Sequence, residues 1–352
     1  MTIATNAFEP RALARLIEIR KRPNSWYRDT YYRAGAELHG ARLVQLDVLI
    51  GGQKMAPIQR PTDASAMVAR EAAAEKLIRL PYMKPGRPTN AEEIIQRRAL
   101  GSHLYSERNL VEAAQRQIGR DIEDLDDMID RRIEYMAAQG IITGKTPLVS
   151  LDATGATMGI DAEVDWGMPN DHLVTISTAT EKWTHADSDP IANLRAWGNL
   201  IAQGSGFSAT VATMGSSVAA ALLAHADIKD MLDSRRIEAG MIELREMQVE
   251  GINYLGRLLG IDLYEDLRTY QADQTGTATP YTPVDRLVLG SRNAENRLHY
   301  GPISDLNCPA PITERWVKTW TVEEPSQRFV AVHCAPLPAL HQPDAVVSAK
   351  VL

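Results

Sequence analysis

Six apolar residues, Ile118, Ile122, Leu125, Ile129, Ile133 and Met136, recur at spacings of three and four. That is the single stripe of a helix of period 3.6. The other faces are crowded with Glu123, Asp124, Asp126, Asp127, Asp130, Arg131, Arg132 and Glu134. A helix so patterned buries one side, and its charged side is expected to face solvent or the charged surfaces of neighbours. The pattern predicts a long helix over Glu107–Gln139, stopped by Gly140. A turn at Gly144-Lys145-Thr146-Pro147 and a strand ending at Val164-Asp165-Trp166-Gly167 follow.

Elsewhere the pattern is shorter in range. Pro10 opens a helix over 10–22 whose apolar face is Leu13, Leu16 and Ile17, and Pro23 closes it. Trp26, Tyr27, Tyr31 and Tyr32 then follow no clean period, and Leu43–Ile50 predicts a strand. Residues 51–95 are punctuated by Pro57, Pro61, Pro81, Pro85 and Pro88 and alternate only at 77–80. So little core-forming pattern over that length predicts an extended arm or hairpin leaving the body of the subunit. Short strands are expected at 148–152, 161–166 and 172–178. Asp189-Pro190 should cap a helix with Ile191, Leu194, Trp197 and Ile201 inward, ended by Gly204. A strand at 208–213, two helices over 216–236 and strands at 251–260, 261–270 and 284–289 come next. The polar stretch 271–283 reads as a hairpin tip. Arg315–Val322 and Arg328–Cys334 alternate with period two across a Glu-Glu-Pro-Ser turn, which predicts an antiparallel pair. A last strand is expected within 344–351.

Composition narrows the function more than the fold. The chain has 352 residues, 44% hydrophobic and 24% charged, as an ordinary globular protein does. A net charge of −7 argues against a dedicated nucleic-acid binder. Residues 1–44 nonetheless carry eight Lys/Arg against four acids, so the acidic surplus lies beyond them. Cys308 and Cys334 make no disulfide framework and are expected reduced, in a cytoplasmic setting. No stretch approaches the ~20 apolar residues of a membrane span, and the N-terminus lacks the apolar core of a signal peptide.

Catalytic signals do not survive inspection. Asp126-Asp127-Met-Ile-Asp130 matches the DDxxD that holds magnesium diphosphate in terpenoid synthases. The nearly all-helical fold and the second metal motif of those enzymes are missing, so an acidic face is expected, with Asp127 paired to Arg131. Gly140-Ile-Ile-Thr-Gly144-Lys145-Thr146 has three residues between its glycines where a phosphate loop has four, and it follows a helix rather than a strand. The eight histidines do not cluster along the chain; His185 with Asp187 and Asp189, and His225 with Asp227, are expected to serve caps and surface. No GxSxG occurs. No catalytic residue, cofactor or metal is expected.

An extended arm, a long spine helix, a mixed α/β region and a closing β pair resemble the lambda-type major capsid proteins of tailed phages, phage capsid family E, with the Hong Kong 97-type fold. The residues that carry this are Arg131-Arg132-Ile-Glu134 to Gln139, Thr143-Gly-Lys145 and Val164-Asp165-Trp166-Gly167. Pro81-Tyr-Met-Lys84-Pro85, Leu232-Asp-Ser-Arg235-Arg236, Leu287-Val-Leu-Gly290, Tyr300-Gly301, Trp316-Val317, Phe329 and Ala335-Pro336-Leu337 agree. The resemblance implies an α+β fold in five parts. They are an N-terminal arm (1–44), an extended loop (45–97), a peripheral domain with the spine helix (98–185), an axial domain (186–289), and a return to the peripheral domain with a C-terminal strand (290–352).

The implied function is self-assembly as pentamers and hexamers into an icosahedral shell around double-stranded DNA, located in the virion and assembled in the bacterial host cytoplasm. Implied partners are other subunits, a separate scaffolding protein, a portal, a decoration protein, and non-specific contact with packaged DNA. An encapsulin-like non-viral shell is the alternative. Candidate interface residues are Arg15, Arg22, Lys54, Lys84, Asp126, Asp127, Arg131 and Arg132. Some relatives cross-link a loop lysine to a neighbour's asparagine; Lys54, Lys76 and Lys84 lie in that region, but nothing marks a partner asparagine.

Overall fold

The computed structural model describes residues 24–49, 73–90, 110–151, 157–226, 228, 251–272, 276–323 and 327–352. The helix expected over 10–22 lies outside them. The aromatic run that showed no period forms a short helix, α1 (Trp26–Tyr31), which buries Tyr27, Thr30 and Tyr31. It is too short to show a period, and its aromatics instead fill a space between other elements. Residues 24–44 are therefore part of the folded body. Strand β1 (Ala36–Leu38) follows.

Strands β2 (Leu43–Leu49) and β3 (Ala73–Arg79) pair antiparallel, Leu43 opposite Arg79. Val44, Leu46, Val48, Ile78 and Leu80 turn inward, while Leu43 and Leu77 stand exposed. That alternation gives the base of the expected extended loop one face in the core. Strand β4 (Gly86–Asn90) returns to the body, antiparallel to a later strand.

The spine helix, α2, runs Leu110–Thr143. Its apolar stripe is buried as the spacing predicted: Ile118, Ile122, Leu125, Ile129, Ile133 and Met136 form a core with Leu298, Tyr300, Val317, Val330, Val332 and Cys334. Gly140 does not stop the helix. A Cβ there would lie 2.9 Å from Tyr32 Oη and 3.1 Å from Thr146 Oγ1, so the glycine lets the helix pack closely. The stop is Gly144, in the left-handed region at φ 70°.

Strands β5 (Lys145–Leu151) and β6 (Thr157–Asp165) form a hairpin, closed where Trp166 Nε1 donates to Thr146 Oγ1 at 2.9 Å. Strand β7 (Leu173–Thr175) precedes α3 (Pro190–Ser205). Asp189 caps α3 as expected, accepting from Ala192 N at 2.8 Å. The helix ends at Gly206, φ 77°, two residues beyond Gly204. Next come β8 (Val211–Met214), α4 (Ser216–Ala224), β9 (Ile252–Leu258) and β10 (Ile261–Asp266). Residues 229–236, assigned to a second helix, fall outside the described residues. Strands β11 (Thr269–Tyr270) and β12 (Thr279–Pro280) pair antiparallel and make the base of the hairpin expected over 271–283.

The chain ends with β13 (Arg286–Gly290), β14 (Arg297–Tyr300), β15 (Arg315–Val322), β16 (Gln327–Cys334), β17 (Pro336–Ala339) and β18 (Val346–Lys350). The predicted β15–β16 pair is present, Arg315 opposite Cys334 and Val322 opposite Gln327. One mixed sheet has the order β7-β18-β13-β8-β10-β9, another β1-β14-β17, a third β15-β16-β4. The C-terminal strand thus lies inside the six-stranded sheet, between β7 and β13. Its Val347 and Ala349 pack with Leu287, Leu289, Leu194, Trp197 and Ile201 beneath α3.

Two glycine substitutions should move stability in opposite directions. Gly144→Ala places a Cβ 2.7 Å from Met168 Cβ in a left-handed backbone, and should cost about 1–3 kcal/mol. Gly119→Ala, with nothing within 4 Å in mid-helix, should add roughly 0.5–1 kcal/mol. Urea unfolding of both purified variants checks the pair.

Candidate assembly surface

The charged residues of α2 divide: Arg120, Glu123, Asp124 and Arg131 are exposed, as the pattern predicted for a face toward solvent or neighbours, while four acids flanking the apolar stripe turn inward. Asp121, Asp126, Asp130 and Glu134 are all buried. Asp126, Asp130 and Glu134 stand at i, i+4 and i+8, one line along the helix. Burying carboxylates without cations costs several kcal/mol each, and arginines from separate elements meet them. Arg87 of β4 donates to Asp121 Oδ1 and Asp124 Oδ2, both at 2.9 Å. Arg315, at the start of β15, reaches Asp126 and Asp130 together. Arg28 of α1 donates to Asp130 at 3.2 Å. Arg268, just after β10, lies 2.8 Å from Glu134 and 2.9 Å from Asp266. Glu134 also accepts from the backbone N–H of Tyr27 at 2.7 Å and of Arg28 at 3.1 Å.

Burial pushes the Glu134 carboxyl up despite the pull of Arg268 and those two amides. Burial pulls the Arg315 guanidinium down, but Asp130 and Asp126 more than offset it and hold it above its usual value. This is a structural ion network. It uses Asp126 and Asp130 of the DDxxD motif inside the subunit, where the sequence suggested a surface. The phosphate-loop lookalike dissolves too: Gly140 is helical, the Thr146 hydroxyl accepts from Trp166, and Lys145 pairs with Glu163 at 2.8 Å.

The candidate interface residues therefore separate. Asp126 is buried against Arg315. Asp127 is partly exposed and lies 4.0 Å from Arg131, the expected i, i+4 pair, and Arg131 is exposed. Arg132 lies over the Tyr135 ring and donates to Ala272 O at 3.4 Å, tying α2 to the 271–278 loop, and burial holds its guanidinium below the usual value. Lys84 is exposed. Lys76 donates to Asp165 O, an internal contact between the β2–β3 and β5–β6 hairpins. Arg15, Arg22 and Lys54 lie outside the described residues.

Sequence reasoning missed several exposed apolar side chains that suit contact with other subunits. Leu77 on β3 is 67% exposed, and Leu306 between β14 and β15 fully so. Leu43, Ile312 and Trp320 also face outward. Trp320 stacks on Phe329 across the β15–β16 pair, centroids 5.1 Å apart. Alternation along β15 could have flagged Trp320; nothing in the loop pattern marks Leu306.

Three of the eight histidines, separate in sequence, do cluster in space. His39, after β1, and His341, after β17, flank the buried His299 of β14. His39 Nε2 lies 2.8 Å from His299 Nδ1, and His341 Nε2 lies 2.8 Å from His299 Nε2. Burial, then the neighbouring His341 and His39, hold His299 down to about 3. The cysteines are free thiols. Burial pushes Cys334 up to about 12, so it stays protonated.

The family model described as phage major capsid protein E matches residues 9–351. The major capsid protein of Escherichia phage lambda is 25% identical over 288 residues, 77% of each chain. A solved prophage capsid protein from E. coli CFT073 superposes with TM-score 0.71 at 19% identity, covering 97% of this chain and 98% of that one. The capsid of cyanophage P-SCSP1u gives TM-score 0.52 at 11% identity, covering 94% and 89%. At these identities the structural likeness is one of fold, an α+β capsid fold.

The buried pairing and the partly exposed acid of the motif should differ sharply in what they contribute to stability. Arg315→Ala leaves Asp126 and Asp130 desolvated beneath it, and should cost about 3–5 kcal/mol. Asp127→Ala should cost less than about 0.5 kcal/mol. Denaturant midpoints of the two variants check this.

Proposed function

The chain belongs to the phage major capsid protein E family, and from that premise we propose how this subunit builds its shell. It is the major capsid protein of a tailed phage, and it self-associates in the virion. Subunits meet as pentamers and hexamers in an icosahedral shell around double-stranded DNA. The six-stranded sheet with α3 and α4 serves as the axial region, with the 271–278 hairpin tip nearest the ring centre. Helix α2 with β15, β16 and β4 serves as the peripheral region. The segment between β2 and β3 is the extended loop that lies on the next subunit. Portal, scaffolding and decoration proteins are its partners, packaged DNA touches the inner face without sequence preference, and assembly takes place in the bacterial cytoplasm. The subunit has no turnover of its own.

The observation that carries this reading is the internal satisfaction of the spine helix. Its buried acids are answered within the subunit, so neighbours meet Lys84, Arg131, Leu77, Leu306 and Trp320 at scattered points. Such contacts are individually modest. A closed shell sums them, as multivalent binding does, and rings join through head-to-tail interfaces that close only when the rotation fits. Polar, small contacts can also exchange partners when domains rotate during shell expansion.

Replacing residues 51–72 by a short Gly-Ser turn between β2 and β3 tests the extended-loop assignment. The variant should keep the circular dichroism and melting temperature of the parent subunit yet form no stable shells in electron micrographs. Normal particles from it would overturn the assignment. Uniform DNA-free particles enclosing an enzyme, from the parent chain in its own host, would move the reading to a non-viral shell.

A further inference from the structure

The most concentrated metal-ligating chemistry among the described residues lies where the two ends of the chain meet. Strand β1 pairs parallel with β14, with Glu37 opposite His299, and β17 pairs with the other edge of β14. His39 follows β1 directly and its backbone N–H is held by Tyr300 O at 2.8 Å, which aims its ring across the sheet. Glu37 Oε2 lies 3.8 Å from His299 Nδ1. The ligand atoms of Glu37, His39 and His299 all fall within 4.8 Å of one another.

We propose that Glu37, His39 and His299 form a binding site for a divalent transition-metal ion of the zinc type, with His341 as the orienting residue behind His299. Two imidazole nitrogens and one carboxylate oxygen are the donor set that zinc, cobalt or nickel prefers over magnesium or calcium. In a tetrahedral site with ~2.0–2.1 Å bonds, donor atoms stand about 3.3 Å apart. The observed 2.8 Å between His39 and His299 and 3.8 Å between Glu37 and His299 bracket that value. The Glu37–His39 pair, within 4.8 Å, is the one that must draw together, and both of these partners lie toward the surface, where their side chains can move: Glu37 is exposed and His39 partly so.

His299 is suited to its place in two ways. It is buried, and the atom it turns toward both Glu37 and His39 is its Nδ1. Its other nitrogen sits 2.8 Å from His341 Nε2, which can accept the Nε2–H and so select the tautomer that ligates through Nδ1. That is the outer hydrogen bond that metal-ligating histidines make elsewhere. Arg297 is the opposing charge nearby, 3.8 Å from the Glu37 carboxylate, and the carboxylate must turn from it to the ion. A fourth position is left for water or a neighbour's side chain. His39 and His299 are 260 residues apart in sequence, so a bound ion ties the segment after β1 to the body of the subunit.

Titrating tag-free, chelator-treated full-length protein with Co²⁺ and then Zn²⁺ tests the site. The expected result is one equivalent of Co²⁺ per subunit with the intense visible bands of tetrahedral cobalt, displaced by one equivalent of Zn²⁺. His39→Ala and Glu37→Gln, both at accessible positions, should each weaken binding at least tenfold with circular dichroism unchanged. His341→Ala should weaken it about tenfold through loss of the outer hydrogen bond. His185→Ala, outside the cluster, should change nothing. Absence of stoichiometric binding, or binding that His39→Ala leaves intact, or that His185→Ala abolishes, would overturn the proposal. None of these results depends on whether the protein forms shells.

Discussion

Carboxylates along one edge of α2 cannot be buried alone, and the subunit is arranged to answer them. Asp121, Asp126, Asp130 and Glu134 lie in places that water does not reach. Each meets an arginine brought by a different element: Arg87 from β4, Arg315 from β15, Arg28 from α1 and Arg268 from the segment after β10. Two charges desolvated against each other roughly offset their own cost, so such pairs add little net free energy. They do penalise every arrangement in which a carboxylate is left without its cation. What they contribute is position, because α1, β4, the six-stranded sheet at the end of β10 and the β15–β16 hairpin must all arrive at the helix in one register.

The apolar stripe beside these carboxylates completes this. It supplies the hydrophobic free energy, against β14, β15 and β16. The ion network and the stripe leave one face of the helix outward, where Arg120, Glu123, Asp124, Met128 and Arg131 are exposed and Asp127 partly so. In the proposed assembly, contacts between subunits fall on this outer face and on hairpins, loops and single exposed apolar residues. That division suits a shell: a rigid unit held by its own interior, and many small surfaces that can be remade without unfolding it. The histidine ladder at the β1–β14–β17 sheet repeats the theme at the other end of the chain, since it also joins residues from both termini.

Much of the fold was legible because it is local. The period-3.6 stripe predicted α2, the period-two alternation predicted β15 and β16 with their pairing, and Asp189-Pro190 predicted the cap of α3. Each of these is decided by residues within a few positions of one another. The misreadings share the opposite property. Gly140 has the look of a helix stop, but Tyr32 and Thr146 need the space its missing Cβ leaves. The aromatic run at 26–32 has no period because it fills a space between elements.

The sequence by itself determined the spine helix, the closing β pair, the absence of a complete catalytic motif and the family resemblance. Periodicity, capping chemistry and motif order are written along the chain. Only the tertiary structure decided which charges are surface and which are interior. Asp126 and Asp127 are adjacent and chemically identical, yet one is buried against Arg315, 189 residues away, while the other faces out toward Arg131. It likewise decided that His39, His299 and His341 assemble and that the last strand lies inside the six-stranded sheet. A side chain's environment is set by what packs on it, and here the packing partners come from the far end of the chain.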